Sequence, residues 1–311
     1  MQIAEADLFI GVTDYDWYSF LSSQPKIDEV NFWQPSGSRG FKALRPGEPF
    51  LFKLHSPNNY VVGGGFYVHW TSLPLSLAWE TFGEKNGASS LEEMAGRIKR
   101  YARGLNLQAL HQHNIGCIVL TAPFFFERSE WIPIPKDWQP NIVQGKTYSI
   151  EGGPGRELWE KIKPKLVAKI GGQVITTSNK YGTPIMISPR LGQGAFRVLV
   201  TDAYHRQCAM TGERVLPALE AAHIKPFARE GPNMVSNGLL LRSDIHRLFD
   251  RGYISVTKEF RVDISKKIRE EFQNGREYYA FRGRQLILPE SIADKPSSQF
   301  IEWHNQNVFL S

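Results

Sequence analysis

The chain has 311 residues, 41% of them hydrophobic and 22% charged, a balance that excludes a disordered protein and leaves room for two folded domains. Lys and Arg outnumber Asp and Glu by 37 to 31, for a net charge of +6, which is compatible with a nucleic-acid partner but does not demand one. The two cysteines, Cys117 and Cys208, exclude a disulfide framework and a zinc site built on CxxC pairs.

The first residues, MQIAEADLFIGV, lack the basic and apolar regions of a secretion signal, and no apolar run reaches the roughly 18 residues that suggest a membrane span. A cytoplasmic location is the expectation. Leu8 to Val12 reads as a strand. Asp14 or Asp16 then caps a helix carrying Trp17, Phe20 and Leu21. Val30 to Gly37 is turn-rich, with Phe32 and Trp33 adjacent. Pro49 to Leu54 alternates like a strand, placing Phe50, Phe52 and Leu54 on one face. Tyr60 to Val68 is a β segment with three central glycines, a sign of a bulge or of close approach by another group. Helical patterns follow at Ser76 to Phe82 and at Leu91 to Leu105. Ile115 to Leu120 reads as a buried strand, and Phe124 to Phe126 extends the β material. Two prolines keep Trp131 to Pro135 from being a regular central strand.

These parts resemble the PUA-like superfamily, which includes the EVE, ASCH and SRA-type domains. The resemblance rests on FIGVTDYDWYSFL, the FWQPSG loop, LRPGEPFLF and YVVGGGFY. It implies a mixed β-barrel domain that holds a flipped or modified base in an aromatic-lined pocket, where a small added group on the base can be checked. Trp17, Phe32, Trp33, Ser36, Trp70 and Trp79 are the candidate pocket residues.

Gly152 to Gly155 breaks the chain, and Glu157 to Ile170 forms an amphipathic helix with Lys161, Lys163, Lys165 and Lys169 among its apolar positions. Such a basic side is more often a solvated face than a phosphate track. Gly171, Gly172 and the run Ser188 to Gly194 mark further turns. A helix then carries Phe196, Leu199, Val200 and Tyr204.

The chemistry-bearing stretch follows. His223 ends an apolar strand, Asn237 opens a second one after a long loop, and Ser243 or Asp244 caps a helix carrying His246. Taken singly, each feature has a plainer reading: a core histidine, an Asn-Gly turn, a surface histidine. Taken together, two strands and a helix bring three polar side chains near one another.

That order resembles the HNH endonucleases and their ββα-metal fold, on the anchors RLGQGAFR, YHRQCAMTG, LEAAHIKP, SNGLLL, DIHRLFDRGYI and LILPESIADKP. The resemblance implies that His223 is the general base that activates a water. Asn237 would orient the His223 ring or brace the loop, and His246 would help hold one divalent metal. Mg²⁺ is the expected metal, with Mn²⁺ or another divalent ion as substitute. Many relatives carry a metal-binding Asp or His where this chain has Ala222. Glu220, on the Ala222 face of the strand, is the expected replacement ligand, with Asp250 and Asp244 as alternatives. Cys208 reads as a small core residue.

Downstream, Phe260 to Ile264 and Ile268 to Phe272 read as a strand and a short helix, and Tyr278 to Leu288 as a hairpin turning at Arg282-Gly283-Arg284. Arg276, Arg282 and Arg284 are candidate phosphate contacts, and Pro296 to Val308 reads as a closing helix.

The expected architecture is α+β: a PUA-like domain over 1–150, a linker with a basic helix over 151–189 and an HNH nuclease domain over 190–311. The expected function is cleavage of modified double-stranded DNA, with modified cytosine as the target and a homodimer as the assembly. The competing expectations are a phosphorothioate-sensing nuclease, a nucleic-acid-binding protein with an inactive nuclease half, and an RNA-processing enzyme.

Overall fold

Strand-forming runs alternate with short helices in the first half of the chain. In order they are β1 (Asp7–Thr13), α1 (Tyr15–Ser22), β2 (Glu29–Gln34), β3 (Pro49–Leu54), β4 (Tyr60–Pro74), α2 (Leu75–Phe82), α3 (Leu91–Lys99), α4 (Leu107–His111), β5 (Asn114–Phe125), β6 (Ile132–Pro133), β7 (Gly145–Ser149) and α5 (Gly153–Ile170). The computed structural model describes residues 6–101, 107–170 and 191–311. The expected end of the third helix at Leu105, the Gly171-Gly172 turn and the first part of the Ser188 to Gly194 turn lie outside the described residues. The chain divides into two units, Met1–Gly192 and Gln193–Ser311, and the secondary structure is α+β, as expected.

The sheet of the first unit runs β2-β5-β4-β3-β1-β7, with β6 beside β4. β1 and β3 are parallel and the other neighbours antiparallel. Among the described residues no pairing joins β2 to β7. Side-chain alternation sets the two faces. Phe50, Phe52 and Leu54 enter one core with Trp17, Leu21 and Phe32. Leu51 enters the other with Leu8, Ile10, Phe66 and Phe124. At Gly64 a Cβ would lie 2.6 Å from the Phe50 carbonyl oxygen, and the β4–β5 register shifts between Gly64 and Phe66. The glycines of β4 therefore serve both a close approach and a bulge.

Two expectations change here. Residues 30–34, part of the stretch read as turn-rich, belong to β2, which pairs with β5 from Glu29 to Gln34. The strand-forming side chains of Val30, Phe32 and Trp33 prevail until Pro35. Residues 151–170, assigned to a linker, belong to the packing of the first unit: Leu158, Trp159, Ile162 and Leu166 of α5 are buried in the core with Leu51 and Phe66. Lys165 and Lys169 on this helix stand 3.8 and 3.2 Å from Glu130 carboxylate oxygens.

The second unit comprises α6 (Gln193–Ala203), β8 (Leu219–His223), β9 (Gly238–Arg242), α7 (Ser243–Asp250), β10 (Ile254–Val256), β11 (Val262–Ile264), α8 (Lys267–Phe272), α9 (Arg276–Tyr279) and α10 (Ser298–Asn307). β8 and β9 form an antiparallel hairpin in which His223 pairs with Gly238. Phe196, Val200, Leu239, Leu241, Ile245, Phe249 and Ile301 share one core. A Cβ on Gly238 would lie 2.5 Å from Val200 Cγ2, so the missing side chain lets α6 lie against β9.

The hairpin expected over residues 278–288 is not formed. Arg276–Tyr279 is helical, and Gln285 makes a single bridge, to Arg261. The segment is held instead to the chain around β11, by the Val262 N–H on the Arg284 carbonyl at 2.9 Å and the Leu286 N–H on the Phe260 carbonyl at 2.8 Å, and Tyr279 Oη donates to the Ser265 carbonyl at 2.9 Å.

Because Ile162 is fully buried in the first unit's core, Ile162→Ala should destabilise that unit by about 2–5 kcal/mol. Urea unfolding followed by tryptophan fluorescence reads this directly. An unchanged midpoint would return residues 151–170 to the role of linker.

Candidate functional site

The hairpin and the helix after it position the polar groups by burying their apolar neighbours. Leu219, Leu239, Leu240 and Leu241 fix β8 and β9 in the core, and Ile245 and Phe249 do the same for α7. His246 and Asp250 are one turn apart on α7, and their side chains meet.

His223 is half-buried. Its ring stacks on Phe196 with centroids 3.9 Å apart and planes inclined by 15°. Nε2 stands 2.8 Å from Asn233 Oδ1. Burial pulls the imidazole pKa below its ordinary 6.5, against the opposing bond to Asn233; the nearby His246 adds to the fall and Asp250 resists it. The ring is therefore neutral at physiological pH and able to accept a proton.

Asn237 is fully buried. Its Oδ1 accepts from the Lys225 N–H at 2.9 Å, and its Nδ2 donates to the carbonyls of Lys225 at 2.9 Å and Pro232 at 3.0 Å. Of the two roles expected for this residue, the contacts are those of a loop brace. The group at the His223 ring is Asn233.

His246 carries a carboxylate at each ring nitrogen. Glu220 Oε2 lies 2.6 Å from Nδ1, and Asp250 Oδ2 lies 3.3 Å from Nε2. A cavity of about 440 Å³ is lined by His223, His246, Asp250, His304, Ala221 and Phe227, among others. Glu220 is not among its lining residues, so Glu220 and Asp250 sit on different sides of the His246 ring. The enclosing walls raise the Asp250 carboxyl pKa; the His246 ring opposes this and Glu220 reinforces it. Among the described residues no three His, Cys, Asp or Glu side chains converge as a ready metal cage.

Other expected ligands lie elsewhere. Ala222 is fully buried in the core, and Glu220 does not take over its place but turns to His246. Asp244 is held by Arg242, whose Nε and Nη2 donate at 2.6 and 2.8 Å, and by Tyr278 Oη at 3.3 Å. The Arg242 bonds hold its carboxyl pKa down, and Asp244 is committed as a structural ion pair. Cys208 is buried, and its Sγ accepts from the Arg242 N–H at 3.3 Å.

The candidate base pocket divides. Trp17 and Phe32 fill the core, with centroids 5.4 Å apart in an edge-on contact, so neither offers an open wall. Trp33 and Trp70 are half-buried at the margin of the same core. Trp33 Nε1 donates to the Asn86 carbonyl at 3.1 Å and Trp70 Nε1 to Gln34 Oε1 at 3.1 Å. Ser36 is exposed, with its hydroxyl 2.8 Å from that of Ser38. Trp79 is half-buried on α2. Arg276, Arg282 and Arg284 are exposed. Arg282 Nε lies 3.6 Å from Asp263, and Arg284 stacks 5.0 Å from the Phe281 ring centre.

Sequence reasoning missed Asn233, Phe196 and His304. Asn233 follows Gly231-Pro232, a turn signal within the loop it helps to shape. Phe196 and His304 are remote in sequence from the motif, and no spacing rule points to them. His304 is buried against Phe249 with ring centroids 3.9 Å apart, its Nδ1 2.8 Å from Ser255 Oγ and its Nε2 3.1 Å from the Phe249 carbonyl oxygen.

Comparison with known proteins bears on this region. The sequence model of the HNH endonuclease family matches residues 208–257, the segment of the second unit that spans β8, β9 and α7. No curated protein matches the chain by sequence. Among solved structures, ASCH from Zymomonas mobilis aligns at 11% identity with a TM-score of 0.33, covering 49% of this chain and 94% of its own. The modification-dependent TagI restriction endonuclease aligns at 12% identity with a TM-score of 0.29, covering 97% of this chain and 83% of its own.

Asn237→Ala strands the Lys225 N–H and two carbonyls that now bond to Asn237. We expect a loss of roughly 2–4 kcal/mol in chemical unfolding of the second unit, with a loop newly open to proteases. The buried His304 gives a pH signature. Burial lowers its pKa to about 4 from 6.5, so the unfolded chain takes up this proton first on acidification. Its contribution is complete above pH 6.5 and is lost as pH falls toward 4, up to roughly 3 kcal/mol. Urea midpoints across that window should fall in the parent and flatten in His304→Leu; equal slopes would rule this histidine out as the cause.

Proposed function

We propose that the protein is a modification-dependent DNA endonuclease. The second unit hydrolyses phosphodiester bonds, with His223 as general base, and the first unit selects DNA carrying a modified cytosine. The observation that carries this reading is the cavity lined by His223, His246 and Asp250, all three within the segment matched by the HNH endonuclease family.

His223 takes a proton from the attacking water, and the Phe196 stack holds its ring in place. Asn237 keeps the loop beside it closed. His246 Nε2 and the Asp250 carboxylate are the two protein donors on the cavity side. One imidazole and one carboxylate fit a hard divalent ion such as Mg²⁺ or Mn²⁺, which commonly keeps waters and phosphate oxygens as its remaining ligands. When bound, such an ion offsets the charge of the scissile phosphate and of the departing oxygen. Glu220, at Nδ1, then orients the His246 ring instead of binding the ion itself.

In the first unit, Trp33 and Trp70 are half-buried with their Nε1 groups already bonded, which leaves rings suited to stacking a base. The exposed Ser36 hydroxyl supplies a polar group on the loop after β2. Arg276, Arg282 and Arg284 supply positive charge for phosphates. Cutting both strands requires two active sites or two visits, and a homodimer meets that need.

The test uses plasmids of one sequence that carry methylated, hydroxymethylated or unmodified cytosine, or phosphorothioate linkages, with divalent metals varied and RNA as competitor. Cutting confined to cytosine-modified DNA is expected. Equal cutting of unmodified DNA would sink the modification-dependent reading, and phosphorothioate-restricted cutting or effective RNA competition would replace the substrate. His223→Ala should slow cleavage by roughly 10²–10⁴-fold. Binding of modified DNA without cleavage under any divalent metal would leave a binding protein in place of the enzyme.

A further inference from the structure

We propose that Asn233 is the positioning residue for the His223 base: its amide oxygen keeps the imidazole proton on Nε2 and leaves Nδ1 as the atom that accepts a proton. The inference rests on the reading of His223 as the general base.

The contact that carries it is the 2.8 Å separation between His223 Nε2 and Asn233 Oδ1. An amide oxygen only accepts, so the ring nitrogen facing it must donate. A neutral imidazole carries one N–H, and placing it on Nε2 leaves the lone pair on Nδ1. Turning the ring over about its Cβ–Cγ bond would put Cε1 where Nε2 meets Asn233 and would need the ring to swing out of its stack on Phe196, on which it lies at 3.9 Å and 15°. One side chain therefore fixes the ring plane and another fixes its tautomer.

Asn237 cannot supply this bond. Its Oδ1 and Nδ2 are engaged with the backbone of Lys225 and Pro232. It does place Asn233, because the Pro232 carbonyl that it holds at 3.0 Å belongs to the preceding residue. The Met234 N–H donates to the same carbonyl at 3.0 Å, and the Asn237 N–H donates to the Met234 carbonyl at 2.9 Å. The loop thus passes order from one asparagine to the other. In the reaction, an O–H bond of water breaks as the Nδ1–H bond forms. The freed oxygen pair attacks phosphorus, the bond to the departing oxygen breaks with its electron pair, and Nε2–H stays on Asn233 throughout.

The experiment reads tautomer and rate separately. ¹⁵N NMR of the His223 ring in the full chain without substrate should show Nε2–H in the parent. That bias should be lost in Asn233→Ala and kept in Asn233→Asp, whose carboxylate also only accepts. Cleavage at a pH where the ring is neutral should fall roughly 10- to 100-fold in kcat for Asn233→Ala with KM unchanged, and Asn233→Asp should recover most of the loss. An Nδ1–H tautomer in the parent overturns the proposal. So does an Ala variant that keeps both tautomer and kcat, or an Asp variant as slow as Ala, since a merely structural asparagine would fail alike in both. A parent with the expected tautomer that cuts no DNA under any divalent metal upholds the clamp and overturns the base reading instead.

Discussion

Asn237 lies wholly inside the second unit, and its amide bonds the backbone at Lys225 in both directions and at Pro232. The strands it joins stop pairing at His223 and Gly238. Beyond that point the chain makes a long excursion whose closure costs entropy and whose inward-facing backbone groups need partners. The amide takes the place of one further rung of the hairpin, and the Ile224 N–H, bonded to the Asn237 carbonyl at 2.9 Å, completes it. With the loop closed this way, Asn233 faces back to the His223 ring. Gly238, with no side chain of its own, lets α6 approach and bring Phe196 to the other side of that ring. The placement of His223 is thus set by a residue that does not touch it.

The ionisable groups around the cavity have opposed requirements, and their positions reconcile them. A base must be neutral before it acts, and burial of His223 favours that state. Two carboxylates near one cavity would repel each other, and the His246 ring stands between Glu220 and Asp250 with one nitrogen toward each. Burial on the cavity side penalises the charge of Asp250. On the proposed reading, a cation held by His246 and Asp250 would offset that charge.

Much of the second unit was legible in the sequence because its information is local. The alternation at Leu219 to His223, the Asn-Gly opening of β9 and the amphipathic run Ser243 to Asp250 gave the two strands and the helix in the right order. Local pattern could not say which nitrogen of His246 Glu220 would reach, nor that Asp244 would be taken up by Arg242, because both depend on side-chain direction in three dimensions. Phe196 and His304 arrive from distant helices, and only the fold brings them near. In the first unit the same limit appears in the aromatic residues: a strand of large apolar residues looks alike whether its rings fill a core, as at Phe32, or sit at its edge, as at Trp33. In residues 278–288 the turn at Arg282-Gly283-Arg284 forms, but Gly283 and Arg284 bond to Val262 of β11 instead of closing a hairpin, a partner that local pattern cannot name.

On the proposed reading, target choice cannot come from the catalytic cavity. The side chains that line it are imidazoles, one carboxylate and apolar groups such as Ala221, Pro226, Phe227 and Val308. Base edges in the grooves of duplex DNA are told apart chiefly by Arg, Lys, Asn and Gln, and among the described lining residues none of these occurs. On that reading the cavity serves a phosphate, a group common to every nucleotide, and selection is left to the first unit. There most of the aromatic supply is consumed by packing, with Phe32, Phe50 and Phe52 in mutual contact. Trp33 and Trp70, at the margin of that core, are each fixed by an Nε1 hydrogen bond while still partly open. A ring already held in place loses little freedom when a base stacks on it, which makes these two positions the economical place to read a modification.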